Sequence, residues 1–231
     1  MMKKHFVFSY INILIREIEK RKYFSLLRKV FNIFYKLFVN FIKKKIGVIK
    51  NLDNQINSQK RNLALGKLFE IFNSDKGLIL KTYDNKEIKS HNYAIFYEKY
   101  FKDLRNKKIK ILEIGSFAGG SAAAFKKYFI NSKIICFDIN ISNFKFYSKG
   151  IDVYGLDIKN YKKAREILKK IFIKNDKPYF DLIIDDGSHN LDDMLISFKN
   201  FFKFIKKGGF YIIEDFKIPN YHAYNKNIND I

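Results

Sequence analysis

Cysteine is nearly absent. Cys136 is the one cysteine among 231 residues, so no disulfide can form within the chain. That usage fits a reducing compartment. Acidic residues are also scarce, 23 against 45 Lys and Arg, giving a formal net charge of +22. A basic surface attracts any polyanion, so the charge by itself names no partner. Lys, Asn, Ile, Phe and Tyr are abundant together, as an AT-rich genome would make them, and this bias accounts for much of the charge. The aromatic Lys/Arg-Gly-Phe signature of RNA-binding domains is missing, and a nucleic-acid partner is not expected. Long apolar runs are missing too: no segment reaches the about 18 consecutive apolar residues of a membrane-spanning helix. Lys3 and Lys4 precede an apolar patch, but charge returns at Arg16 and no small-residue cleavage site follows. A signal peptide is therefore not expected. The expected location is cytoplasmic, with peripheral contact at the inner face of a membrane left open.

The length and the 47% hydrophobic content fit one domain plus an extension. Residues 1–50 form the extension, with thirteen Lys and Arg against Glu17 and Glu19. Phe24, Leu27, Phe31, Phe34, Phe38 and Phe41 recur at spacings of three and four, which puts them on one face of a helix. Lys29, Lys36 and Lys43 lie off that stripe. Such a helix suits an anionic membrane surface; packing on its own domain, or on a second subunit of a homo-oligomer, explains the stripe equally well. Residues 51–62 are polar and aperiodic and read as a linker. Residues 63–107 form a helical entry segment: a short helix over 63–73, stopped at Ser74-Asp75-Lys76-Gly77 by a left-handed glycine cap, and a second helix over 93–104.

From residue 108 to 231 the pattern becomes strand, loop, helix, repeated. Strands are predicted at 109–114, 133–139, 152–155, 180–185 and 210–214, and helices at 121–129, 161–173 and 192–205. This alternation predicts an α/β fold, a parallel sheet covered on both faces. Ligands of such open sheets bind beyond the carboxyl ends of the strands.

The residues at those ends carry the chemistry. The first strand runs Leu112-Glu113-Ile114-Gly115-Ser116 into Gly119-Gly120. This spacing is not the dinucleotide fingerprint, so a small zwitterionic ligand fits better than a pyrophosphate. Glu113 stands where it can meet an ammonium group. Asp138 ends the second strand, where a carboxylate can accept ribose hydroxyls. Asp157 follows the third strand, where it can meet an adenine amine. Each acid alone is commonly a solvated turn carboxylate; with the glycine turn, they outline a nucleoside site. The fourth strand ends in Asp185-Asp186-Gly187-Ser188-His189 and the fifth in Glu214-Asp215. If those strands are neighbours, their carboxylates converge, and the repulsion calls for a hard cation such as magnesium. Capping of the next helices is the competing role for one or two of these acids. His189 sits beside this cluster, and imidazoles titrate near neutral pH, which suits proton abstraction.

With these residues in view, the chain resembles class I S-adenosylmethionine-dependent methyltransferases. More narrowly, it is similar to the metal-dependent sugar O-methyltransferases of macrolide biosynthesis and to cephalosporin-hydroxylase-type proteins. The resemblance is carried by Ser74-Asp75-Lys76-Gly77, His91-Asn92-Tyr93 with Tyr97, Leu112 to Gly115, Asp185 to His189 and Ile213-Glu214-Asp215, over roughly residues 73–216. It implies a Rossmann-like sheet and methyl transfer from S-adenosylmethionine to a hydroxyl of a sugar, glycan or similar diol. Glu113, Gly115, Ser116, Gly119, Asp138, Asp157 and Asp185 form the expected cofactor set. Asp186, Glu214 and Asp215 would hold magnesium, and His189 would be the general base. The 74–77 and 91–93 segments would close over cofactor or substrate. One departure is clear: the family continues after the fifth strand with a helix and a two-strand hairpin, whereas residues 216–231 are short and polar. A non-methylating relative and an inactive, membrane-tethered scaffold are the alternatives.

Overall fold

The computed structural model describes residues 30–31, 34–35, 38, 49–53, 63–82, 84–172 and 179–216. Of the N-terminal stripe, Phe31, Phe34 and Phe38 are among them, helical and exposed; Phe24, Leu27 and Phe41 lie outside. No helix among the described residues is long and apolar enough to cross a membrane.

The core strands are β4 (Lys110–Ile114), β5 (Lys133–Asp138), β7 (Ile151–Gly155), β8 (Phe180–Asp185) and β9 (Ile205–Ile213). They form one five-stranded sheet in the order β7-β5-β4-β8-β9, and every pairing is parallel. Continuous apolar runs such as Ile134-Ile135-Cys136-Phe137 make strands buried on both faces, as crossover helices require. Alternate residues feed two cores. Ile111, Ile134, Leu182 and Ile184 pack with α1 (Leu65–Ile71), α2 (Ala94–Phe101) and α3 (Gly120–Tyr128). Leu112, Ile135, Phe137 and Ile183 pack on the other face with α4 (Tyr161–Ile171) and α5 (Leu191–Phe201). Asn160 and Asn190 cap the last two helices, accepting from the amides of Lys163 and Asp192.

The strand order reverses between β4 and β8, which places the ligand crevice beyond their carboxyl ends. Register aligns those ends: Ile114 stands opposite Asp185, and Asp185 opposite Ile213.

Several boundaries differ from expectation. The helix predicted to end at residue 205 ends at Phe201, a 3-10 turn covers Phe202–Phe204, and Ile205 already starts β9. Phe201, Phe202, Phe204 and Ile205 keep a helix-like spacing across the junction, so periodicity alone left no mark. Short pairings escaped notice as well: β1 (Lys50–Asn51) with β6 (Phe146–Tyr147), and the hairpin of β2 (Ile79–Lys81) with β3 (Glu87–Lys89). Within the stretch read as a linker, Leu52 is buried in the core and the Asp53 carboxylate accepts from Ser148 Oγ and the Lys149 amide, each at 2.7 Å. Residues 54–62 lie outside the described residues.

The cap of α1 is also a correction. Asn73, not Gly77, is left-handed, with φ +54°. The Ser74 amide donates to Phe69 O at 2.8 Å and the Asn73 amide to Glu70 O at 3.1 Å, the paired bonds of a Schellman ending. Gly77 serves packing instead: a Cβ there would lie 3.2 Å from Phe69 Cβ. The Asn73 side chain also pins Lys81 through both its amide and carbonyl. Asn73→Gly would lose only those side-chain bonds, whereas Asn73→Ala also strains the backbone. Urea unfolding is expected to find Asn73→Ala the less stable of the two by about 1 kcal/mol; equal midpoints would remove the left-handed cap from the account.

Candidate functional site

The glycine turn after β4 is shaped by the protein's own backbone. Gly115 has φ +82° and Gly119 φ +78°. A Cβ on Gly115 would stand 1.9 Å from the carbonyl oxygen of Asp186, and one on Gly119 would meet the Phe144 ring at 2.5 Å. Between them Ser116 is buried, and Phe117 is exposed with φ +41°. A positive φ is costly for an aromatic residue. Asp138 holds that strained residue, accepting from the Phe117 amide at 2.7 Å and the Asn140 amide at 2.6 Å. Burial raises the Asp138 pKa despite these amides. A carboxylate has about four acceptor sites, so Asp138 keeps capacity for hydroxyl donors. Asp157 closes a turn beyond β7, taking the Lys159 amide at 3.0 Å.

Glu113 is enclosed rather than open. It is fully buried, Ser121 Oγ donates to Oε1, and the Cys136 thiol is 3.8 Å from Oε2. Burial pushes its pKa up to about 7, against the pull of the Lys76 charge. Asp185 turns to the opposite face of the sheet, where Tyr211 donates to it at 3.2 Å. Burial raises it as well, opposed by Ser197 and Tyr211.

Asp186 and Glu214 converge on a buried cation supplied by the chain. The Lys76 side chain is 1% exposed, and its ammonium donates to Asp186 Oδ2 at 2.5 Å and to Glu214 Oε2. Tyr97 donates to the other Glu214 oxygen. Burial alone would lower the lysine pKa, but Glu214, Asp186, Asp75 and Glu113 hold it well above the usual range. Burial raises Asp186 and Glu214 too, with Lys76 opposing in both cases.

Beside this cluster lies a second grouping. Asp186, His189 and Asp215 each offer one ligand atom, and these atoms lie within 4.8 Å of one another. His189 Nε2 is 3.9 Å from Asp186 Oδ1 and 3.8 Å from Asp215 Oδ2. Each carboxylate is braced by its other oxygen: Asp186 by Lys76, and Asp215 by the Tyr93 hydroxyl at 2.5 Å. The His91 ring stacks on Tyr93, with centroids 5.2 Å apart, and its Nδ1 is 3.9 Å from Asp215 Oδ1. His189 and Asp215 have φ of +55° and +54°. Backbone held in this region costs about 1–3 kcal/mol per residue and concentrates at functional sites. Glu214, whose oxygens accept from Lys76 and Tyr97, is not among these three. The two carboxylates can hold one divalent cation, with the His189 imidazole next to whatever that cation binds.

Lys76, Tyr93 and Tyr97 are contributions that residue-type reasoning did not assign individually. The Ser74–Gly77 and His91–Tyr93 segments expected to close over the site do border it, through these side chains. A lone lysine in so basic a chain has no local signal; the convergence of acids was the available clue.

No family model matches the chain. Demethylmacrocin O-methyltransferase of Streptomyces fradiae is 29% identical over 144 residues, 54% of this chain and 32% of the relative. Mycinamicin VI 2''-O-methyltransferase of Micromonospora griseorubida is 28% identical over 144 residues, 54% of this chain and 31% of the relative. The chain thus spans about a third of the length of these curated relatives. Among solved structures, the mycinamycin-pathway methyltransferase MycE, in complex with Mg, SAH and mycinamycin VI, superimposes with a TM-score of 0.56 at 25% identity, over 73% of this chain and 40% of that one. In sequence and in fold the chain is similar to macrolide sugar O-methyltransferases, and its core is a five-stranded parallel sheet that matches their Rossmann-like fold.

Proposed function

We propose that this chain is the core of an S-adenosylmethionine-dependent, magnesium-assisted O-methyltransferase that acts on a hydroxyl of a sugar, glycan or similar diol. The observation that carries the reading is the meeting of Asp186 Oδ1, Asp215 Oδ2 and His189 Nε2 at the carboxyl edge of the sheet, next to the glycine turn. The donor chemistry fits the ion. Oxygen ligands suit magnesium, and an ammonium already seated on Asp186 and Glu214 marks the place as one that demands positive charge.

S-adenosylmethionine, when bound, supplies an electrophilic methyl group. A divalent ion held by Asp186 and Asp215 would supply Lewis-acid polarisation of an acceptor oxygen. The chain's residues do the rest. Beside the Gly115–Gly119 turn, Asp138 would accept the cofactor's ribose hydroxyls. His189 takes the proton of the acceptor hydroxyl at Nε2. Tyr93 and Lys76 fix the two carboxylates, so that alignment is set before substrate arrives. Two adjacent hydroxyls would chelate the ion well, which favours a sugar or catechol-like acceptor. The names of the relatives support the sugar class; that of one from Streptomyces olivaceus, 28% identical, specifies a rhamnosyl group.

Calorimetric titration with S-adenosylmethionine, with and without magnesium, tests the reading. Binding is expected in both conditions, with turnover only when magnesium is present. If no heat of binding appears in either, the enzyme assignment fails.

A further inference from the structure

We infer that Lys76 is an internal counter-ion that competes with a divalent cation for Asp186 and Glu214, and so holds metal affinity below what the acids alone would give. The inference rests on the metal site proposed above. Lys76 does not reach the acids from a loose loop. Its carbonyl accepts from the Ala94 amide at 3.0 Å, the Asp75 carbonyl accepts from the His91 amide at 3.1 Å and from Ser90 Oγ at 2.6 Å, and the Gly77 carbonyl accepts from the Asn92 amide at 2.9 Å. The turn is thus braced on both sides of the lysine, and the ammonium is presented at a set position. It spans sequence separations of 110 and 138 residues to reach its partners.

The charges decide the consequence. Both Glu214 oxygens already accept a bond, one from Lys76 and the other from Tyr97. Asp186 is half engaged, and only Oδ1 faces His189 and Asp215. An ammonium on the second oxygen draws electron density from the first and repels an incoming cation. With the charge removed, Asp186 becomes a stronger donor and Glu214 is released as a further ligand. A cation then takes over the compensation that Lys76 provided.

The probe is Mn2+ alone, titrated into the full chain without cofactor and followed by calorimetry or by the spin-resonance signal of free Mn2+. Lys76→Met is expected to lower the Mn2+ dissociation constant by about tenfold or more, since unit charges a few ångströms apart interact strongly even at an effective dielectric of about 20. Mn2+ is also expected to raise the melting temperature of Lys76→Met more than that of the wild type. A lysine with only a structural role would change stability without changing metal affinity. If Lys76→Met does not fold, the comparison moves to Glu214→Gln against Lys76→Met/Glu214→Gln, where the buried excess of negative charge is smaller. The double variant is expected to bind Mn2+ more tightly than the single one. Mn2+ binding that is unchanged or weaker without the ammonium overturns the inference and leaves the metal site standing. Absence of Mn2+ binding in every protein overturns both.

Discussion

His189→Ala is expected to cut the rate of methyl transfer by about 10²–10⁴-fold, the range a positioned general base contributes, while calorimetric affinity for S-adenosylmethionine stays unchanged. The separation of effects follows from geometry. His189 follows β8 in a loop whose backbone is held at φ +55°, and its Nε2 points between Asp186 and Asp215. The glycine turn and Asp138, which would carry the cofactor, belong to β4 and β5. Deleting the imidazole therefore leaves the proposed cofactor cradle alone and would remove the proposed proton acceptor. Asp186→Asn should give the same pattern for a different cause. The amide keeps a hydrogen bond with Lys76 but removes a negative charge from the ion site, so activity falls and its dependence on magnesium shifts to higher concentration. Formation of S-adenosylhomocysteine with a set of sugar and catechol diols measures both. Unchanged turnover in His189→Ala would remove the general-base assignment, whatever the acceptor.

The parts of this site differ in how far the sequence revealed them. Residues 180–185 are expected as a strand with those bounds and form one, because Leu182, Ile183 and Ile184 alternate between two buried cores. Once β4 and β8 are neighbours, Gly115, Asp186 and His189 must gather at one edge, so a parallel topology read from apolar runs already locates them. What the pattern could not supply is orientation. Asp185 and Asp186 are adjacent in sequence, yet strand pleating sends the first to Tyr211 and the second to Lys76. Glu113, expected to meet a ligand, is sealed beneath Ser121. Glu214, expected as a metal ligand, sits between Lys76 and Tyr97. Lys76 and Tyr97 come from the 63–107 segment, and contacts across more than a hundred residues leave no trace in local periodicity. The β1–β6 pairing is hidden for a similar reason: two residues on each side are too few for any repeat to register.

Gly115 carries the largest structural prediction. Glycine here is commonly read as making room for a cofactor, but the nearest obstacle to a side chain is the protein. A Cβ would lie 1.9 Å from the Asp186 carbonyl oxygen, 2.5 Å from its carbon and 2.8 Å from Gly187 Cα. None of these atoms can swing aside as a side-chain tip can. Both junctions are tied, with the Gly115 amide on Phe137 O at 2.8 Å and the Asp186 amide on Ile114 O at 2.9 Å. Relieving the clash means parting the ends of β4 and β8, in addition to the strain of alanine at φ +82°. Gly115→Ala is therefore expected to cost about 4 kcal/mol or more, near the top of the range for single substitutions, and to lower the melting temperature by about 10 °C or abolish folding. Gly119→Ala should cost less, because its clash is with the Phe144 ring, which can turn. Thermal melts in chelator, without cofactor or metal, isolate the effect. A Gly115→Ala protein that melts within about 2 °C of wild type, less than the shift expected from 1 kcal/mol, would show that the strand ends yield more readily than this packing allows. If the large loss is seen instead, failure of a Gly115 variant to bind S-adenosylmethionine reports first on the β4–β8 junction, and His189→Ala, which leaves that junction's packing intact, is the variant that separates cofactor binding from catalysis.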